Sequence, residues 1–150
     1  MSDLTKFKDH FVLLLEAGFI AVNQADEDSA TKLFKAAALL NPENTLTQIG
    51  FGYLYLHKLE LKQASNIFET ILKKEPRNEM AKALLGLTLT LSSDELTKGE
   101  QILHDTAKGS SDTQIKTLAE SALDFVEKFV KKSSPMAPPT KPTKGSMHSQ

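Results

Sequence analysis

The chain has 150 residues, a formal net charge of −1, a hydrophobic fraction of 40% and no cysteine. That length suits one domain with a tail, and a near-neutral charge without clustered basic residues argues against a nucleic-acid-binding protein. The lack of cysteine excludes disulfides, thiolate metal sites and cysteine nucleophiles, and it fits a reducing compartment such as the cytoplasm.

Apolar residues that recur at spacings of three and four predict seven helices. The predicted ranges are 3–23, 29–40, 45–57, 62–74, 79–91, 95–108 and 113–131. The expected helix N-caps are Asp3, Asp28, Asn44 and Asn78. Capping boxes of Ser92 with Glu95 and of Ser111 with Gln114 are expected to start the last two helices.

The two termini complete this organisation. The N-terminus is charged and has no apolar region of the kind that a secretory signal requires. The strongest apolar run, residues 11–15, is far shorter than the roughly 20 residues that span a bilayer. Proline, serine, threonine and lysine dominate residues 133–150, which predicts a disordered tail.

A pattern of small, aromatic and proline residues recurs with a period of about 34 residues. Residues 45–78 hold Gly52, Tyr55, Ala64, Phe68, Ile71 and Pro76, and residues 11–44 hold Gly18, Ala21, Ala30, Phe34, Ala37 and Pro42. A third copy from residue 79 holds Gly86, Leu89, Gly99, Leu103 and Thr106, with one extra residue in its turn and no closing proline. Small residues allow two helices to cross closely, the large residues fill the adjacent space, and proline ends the second helix.

This pattern resembles the tetratricopeptide repeat family. The resemblance implies an all-α fold of three helical hairpins plus a C-terminal capping helix, arranged as a right-handed α-solenoid. It divides the chain into a domain of residues 1–132, with repeats at about 11–44, 45–78 and 79–112 and a capping helix at 113–131, and the tail at 133–150.

In this family the first helix of each hairpin lines a concave groove that binds protein partners. The resemblance assigns to that groove the residues Val12, Leu15, Phe19, Val22, Leu46, Ile49, Tyr53, Leu56, Met80, Ala83 and Leu87. None of these is basic, so the chain departs from the class that grips a C-terminal carboxylate. An apolar groove favours an apolar or amphipathic helix as ligand, although a three-repeat array can also pack such residues against itself.

No arrangement of residues indicates catalysis. The four histidines show no metal-ligand spacing, and no glycine-rich phosphate loop follows a strand. We therefore expect no enzyme activity, no cofactor and no metal site.

The pattern of residues 83–129, a degenerate third hairpin followed by a Ser/Asp turn and an amphipathic helix, resembles the type III secretion needle-subunit co-chaperones. That resemblance implies a cytoplasmic chaperone. It would keep a secreted needle subunit from polymerising, together with a small helical co-chaperone. Two alternatives stay open: a type III translocator chaperone, and a general tetratricopeptide scaffold or homodimer. No contact with nucleic acid and no membrane insertion is expected.

Overall fold

The computed structural model describes residues 8–133, and all the regular structure in that range is helical. Its helices are α1 (Lys8–Asn23), α2 (Glu27–Leu40), α3 (Thr45–His57), α4 (Leu61–Lys74), α5 (Glu79–Thr90), α6 (Leu96–Gly109) and α7 (Thr113–Phe125). The last helix continues through a π-helical turn, Val126–Val130, into Lys131–Ser133. The all-α solenoid predicted from the sequence is confirmed, while the Asp3 cap and residues 134–150 of the predicted tail lie outside the described residues.

The N-caps agree with the prediction at α3 and α5. The side chain of Asn44 accepts a hydrogen bond from the Leu46 amide at 2.8 Å, and that of Asn78 accepts one from the Ala81 amide at 2.9 Å. Each cap satisfies an amide that has no partner within the helix.

Three predicted caps are wrong, each because a nearby side chain or turn serves the helix start instead. Asp26 rather than Asp28 caps α2, and hydrogen bonds from Ser29 lower the pKa of the Asp26 carboxyl. Asp112 caps α7 by accepting from two backbone amides. The helix α6 begins after Glu95 with no side-chain cap bond, so neither predicted capping box forms.

Within each hairpin, a large side chain of the second helix covers a glycine of the first. The pairs are Phe34 on Gly18, Phe68 on Gly52 and Leu103 on Gly86, and a β-carbon built on each glycine would lie within 2.4 to 2.9 Å of the covering side chain. All three large side chains are fully buried. The glycines therefore permit the close helix crossing that the sequence pattern predicts.

Phe34 also contacts the backbone of the next hairpin. A β-carbon at Gly50 would lie 2.6 Å from the same ring. Gly50 was not part of the predicted pattern, and the third hairpin has Leu84 at the same register. The Phe34 ring thus packs against the backbone of both α1 and α3.

Successive hairpins stack through one face of each first helix. We call Thr47, Gly50 and Leu54 on α3, with Ala81, Leu84 and Thr88 on α5, the stacking positions. All six are buried. The helix α7 repeats this arrangement, since Ile115 and Ala122, which lie one repeat period after Ala81 and Thr88, are also buried. It therefore stacks as the first helix of a further hairpin would.

At the register of Gly18, Gly52 and Gly86, α7 carries Glu120, whose side chain is exposed. A second helix could not cross α7 closely there without burying a carboxylate. Glu120 therefore makes α7 unsuited to pair with a second helix at this register.

Two residues between paired helices adopt the left-handed conformation, at equivalent positions one repeat period apart. Ala25 has φ 61° and Leu59 has φ 59°. In both turns the backbone amide of the next residue donates a hydrogen bond to a carbonyl oxygen in the last turn of the preceding helix. Asp26 donates to Ala21, and Glu60 donates to Tyr55. This is the Schellman arrangement, in which glycine is the preferred residue.

We expect Leu59→Gly to stabilise the fold. Removing the side chain relieves left-handed backbone strain and stabilises the folded state by roughly 1–2 kcal/mol. The added freedom of glycine in the unfolded chain offsets roughly 0.4–1 kcal/mol of this. The net gain is about 0.5–1 kcal/mol in urea unfolding. Leu39→Gly is the matched control, since Leu39 is 83% exposed within α2 and should lose about 0.8 kcal/mol. Equal losses in both variants would contradict the prediction.

Candidate functional site

The structure places the eleven predicted groove residues at three different depths. Five are buried in the cores of the hairpins: Leu15, Val22, Ile49, Leu56 and Ala83. Four are half-buried: Phe19, Tyr53, Met80 and Leu87. Two are exposed: Val12 and Leu46. The buried five hold the first helices together, so a ligand could contact the other six without disturbing the fold.

The groove, as we define it from here, consists of those six half-buried and exposed residues. Phe19, Tyr53, Met80 and Leu87 all pack on the central core cluster that contains Ile49 and Phe68. Leu87 also packs against the cluster beneath α7. The floor of the groove is therefore continuous with the hydrophobic core from the first hairpin to the last helix.

Tyr53 lies at the centre of this surface. Its ring contacts Phe19 and His57, with centroid distances of 5.5 and 4.5 Å, and its hydroxyl donates to Asn23 Oδ1 at 2.7 Å. Burial raises the pKa of the Tyr53 phenol. The first and second hairpins are thus joined at this surface by the tilted contact of Phe19 with Tyr53 and by the Tyr53–Asn23 hydrogen bond.

The last helix adds a wall that the sequence interpretation did not assign. Leu118 of α7 packs against the central cluster. On the same face, Ser121 lies one turn further along and the exposed Phe125 two turns further along. Phe125 lies one repeat period after Leu91 and two periods after His57, at the groove rim. The repeat period could have identified it, had α7 been read as a first helix rather than only as a cap.

Charge is sparse along the groove. None of the six groove residues carries a charge at neutral pH, although charged side chains flank them on the same helices, Asp9 and Glu16 on α1 and Glu79 and Lys82 on α5. Coulombic selection of a charged ligand at the floor is therefore weak, and apolar contact has to supply most of the affinity.

Residues 8–133 show few features of a metal site, a membrane span or a small-molecule pocket at the groove. In that range no three His, Asp or Glu side chains come together to hold a metal ion. None of its helices is long and apolar enough to cross a membrane. Two cavities of about 340 and 440 Å³ contain none of the predicted groove residues, and they sit at equivalent registers beside Leu85 and Phe51.

Comparisons with known proteins agree with this architecture. Residues 21–87 match the family model described as tetratricopeptide repeat. Over 64 residues the chain is 34% identical to RNA polymerase-associated protein CTR9 of Caenorhabditis elegans, covering 42% of this chain and 6% of that protein. Over 78 residues it is 31% identical to Tetratricopeptide repeat protein 6 of Homo sapiens, covering 52% of this chain and 15% of that protein. No solved structure gives a significant match.

Proposed function

We propose, on the premise that this chain carries tetratricopeptide repeats, that it is a protein-interaction scaffold that binds an amphipathic helix of a partner in its groove. The chain spans only small fractions of the two relatives, and the repeat is what it shares with them. The repeat is an interaction unit, and no catalytic family is indicated. We therefore assign no enzyme activity to this domain.

One observation carries the proposal: the six groove residues are uncharged and combine exposed apolar side chains with half-buried ones that pack on the core. Val12 and Leu46 project from its edge, while Phe19 and Tyr53 are half-buried below them. An amphipathic helix laid there would cover these side chains with its apolar stripe, a common mode of helix recognition. Its polar face would stay in water, so binding need not desolvate any charge.

The finer form of the proposal names the partner. The resemblance of residues 83–129 to needle-subunit co-chaperones supports a secreted type III needle subunit as ligand, held in the cytoplasm together with a small helical co-chaperone. Covering the apolar stripe of the subunit would remove the surface through which it polymerises. The alternatives are a translocator chaperone, and a scaffold or homodimer that uses the same groove. They differ in the protein that would occupy the groove.

The test uses the two exposed groove residues. We expect Val12→Asp with Leu46→Asp to weaken binding about 100-fold, because each carboxylate would lie against the apolar stripe of the ligand. Ile49 is unsuitable for such a test, since it is 3% exposed and a charge there would unfold the domain. The control is Leu39→Asp, which places one carboxylate on exposed α2 surface outside the groove and is compared with Val12→Asp and Leu46→Asp as single variants.

Two probes separate the levels of the proposal. A fluorescein-labelled amphipathic peptide long enough for several helical turns, followed by anisotropy, tests helix binding itself. A purified needle subunit from the same organism, followed by light scattering as it polymerises, tests the chaperone role. Peptide binding that survives the double variant would refute the groove. Peptide binding without any delay of polymerisation would refute the needle-subunit hypothesis and leave the scaffold.

A further inference from the structure

Exposed large apolar side chains concentrate at the two ends of the array. Of the eight in residues 8–133, three belong to α1 and two to the end of the last helix. These five are Val12, Leu13, Ile20, Phe125 and Phe129. Such residues at opposite ends of a stacked array are the places where a further stacking contact would form.

At the first end, the stacking positions of α1 are uncovered. Leu13 and Ile20 lie one repeat period before Thr47 and Leu54, both of which are buried. Leu13 is nevertheless 60% exposed and Ile20 is 56% exposed. The face that joins hairpins elsewhere in the array therefore remains open here. We call Asp9, Leu13, Glu16 and Ile20 the open stacking face.

Glu16 determines what this face can accept. It stands at the register of Gly50, whose backbone covers the ring of Phe34. An aromatic ring from another hairpin of the same kind would bury the Glu16 carboxylate without a partner, at a large cost. A surface that offers apolar side chains together with a cation would instead pair with it.

The other end of the array offers such a surface. Phe125 and Phe129 are exposed, and their ring centroids are 5.2 Å apart. Lys128 and Lys132 lie one turn apart on the same side of this helix and are also exposed. We call these four residues the terminal phenylalanine stripe. Lys128 does pair with Asp124 at 3.1 Å, but both side chains are 61% exposed, and such surface pairs contribute little.

We propose that the terminal phenylalanine stripe of one copy packs on the open stacking face of a second copy, so that this chain associates head to tail. The phenylalanines cover Leu13 and Ile20, and the lysines meet Asp9 and Glu16. The apolar and charged residues of the two surfaces are thus complementary to each other, whereas neither surface is complementary to itself. Pairing α1 with α1 would place acidic residues together.

The contact is between unlike surfaces, so each added copy leaves one surface free at either end. One helix packed on another falls short of the roughly 1,200 Å² that stable interfaces bury. We therefore expect weak association, with assemblies that grow longer as the protein concentration rises. Salt should weaken the association because the charged part of the contact is solvent-exposed. This inference does not depend on the proposed function, and of the residues in the two surfaces only Phe125 also borders the groove.

Sedimentation velocity of the full chain between 10 µM and 1 mM tests it. We expect the weight-average mass to rise above 16.5 kDa with concentration. Leu13→Asp blocks one end and Phe129→Asp blocks the other, so each variant alone should stay monomeric. An equimolar mixture of the two should form a dimer and go no further, since each variant retains the surface that the other lacks.

Several results would overturn the proposal. These are a wild-type chain that stays monomeric at 1 mM, a Phe129→Asp variant that dimerises alone, or two variants that do not associate when mixed. Self-association of Phe129→Asp alone would indicate pairing of α1 with α1. Leu39→Asp and Leu46→Asp are the controls and should behave as wild type. Leu46→Asp also shows that self-association is separate from groove binding.

Discussion

Replacing Phe34 with alanine is expected to cost about 5 kcal/mol of folding free energy, at the upper end for buried aromatic truncations. The ring is fully buried and packs against Gly18 and Gly50. Gly18 and Gly50 bring backbone against the ring and have no side chain that could fill the resulting cavity. The other aromatic neighbours, Phe19 and Phe51, contact the ring edge-on at centroid distances of 5.3 and 5.5 Å. Since domains of this size are stable by roughly 5–15 kcal/mol, the variant should be close to unfolding at room temperature, as circular dichroism in urea would show.

Phe68→Ala is the matched comparison. Phe68 is as buried as Phe34 and covers Gly52, but the register of Gly50 is held there by Leu84, a member of the same core cluster. Leu84 can shift toward the cavity, so we expect a loss of about 3–4 kcal/mol. Equal losses at the two positions, or a larger loss at Phe68, would contradict the role assigned to Gly50.

A second large effect is expected from a single methyl group at position 99. A β-carbon on Gly99 would lie 2.6 Å from the Thr90 backbone nitrogen and 2.7 Å from the Gly86 carbonyl oxygen. These are backbone atoms, so α5 and α6 must separate to admit the methyl. Helix propensity favours alanine by about 1 kcal/mol, but overpacking of this kind costs roughly 1–3 kcal/mol or more. We expect Gly99→Ala to lose about 2 kcal/mol net in thermal unfolding.

The two other hairpins provide the control for Gly99. Ala30 and Ala64 occupy the same register and are fully buried, so those crossings already accommodate a methyl. Ala64→Gly should therefore lose about 1 kcal/mol through propensity and lost packing. A melting temperature of Gly99→Ala at or above that of the wild type would show that the third crossing has room after all.

The fold was predictable because its determinants are local and periodic. Glycine, alanine and aromatic residues at fixed offsets specify the hairpins, and Asn44 and Asn78 mark helix starts. Gly50 was missed because its role is visible only from the packing of Phe34, which comes from another hairpin. Two of the wrong N-caps share one cause, since at α2 and α7 another acceptor close to the predicted one, Asp26 or Asp112, makes the cap. At α6 no side chain caps the helix.

The depth of the predicted groove residues could not be predicted from the sequence. Ile49 and Leu56 were assigned to the groove by register, yet they are buried in the core cluster that also contains Ala64, Phe68 and Ile71. Sequence periodicity gives the direction of a side chain along a helix. It does not give the distance to the next helix, which depends on the volumes of residues far away in the chain. Whether a partner binds there stays a prediction.

Glu120 has a practical consequence for anyone who wishes to redesign the length of this protein. Appending a hairpin after α7 would fail, because that carboxylate occupies the place where a glycine must admit the crossing helix. Duplicating residues 45–78 in place is the workable route, since the inserted hairpin would stack between the existing hairpins 45–78 and 79–112. The surfaces at the two ends of the array would stay unchanged. The stability of this four-hairpin version would test whether the hairpins of this sequence can be exchanged for one another.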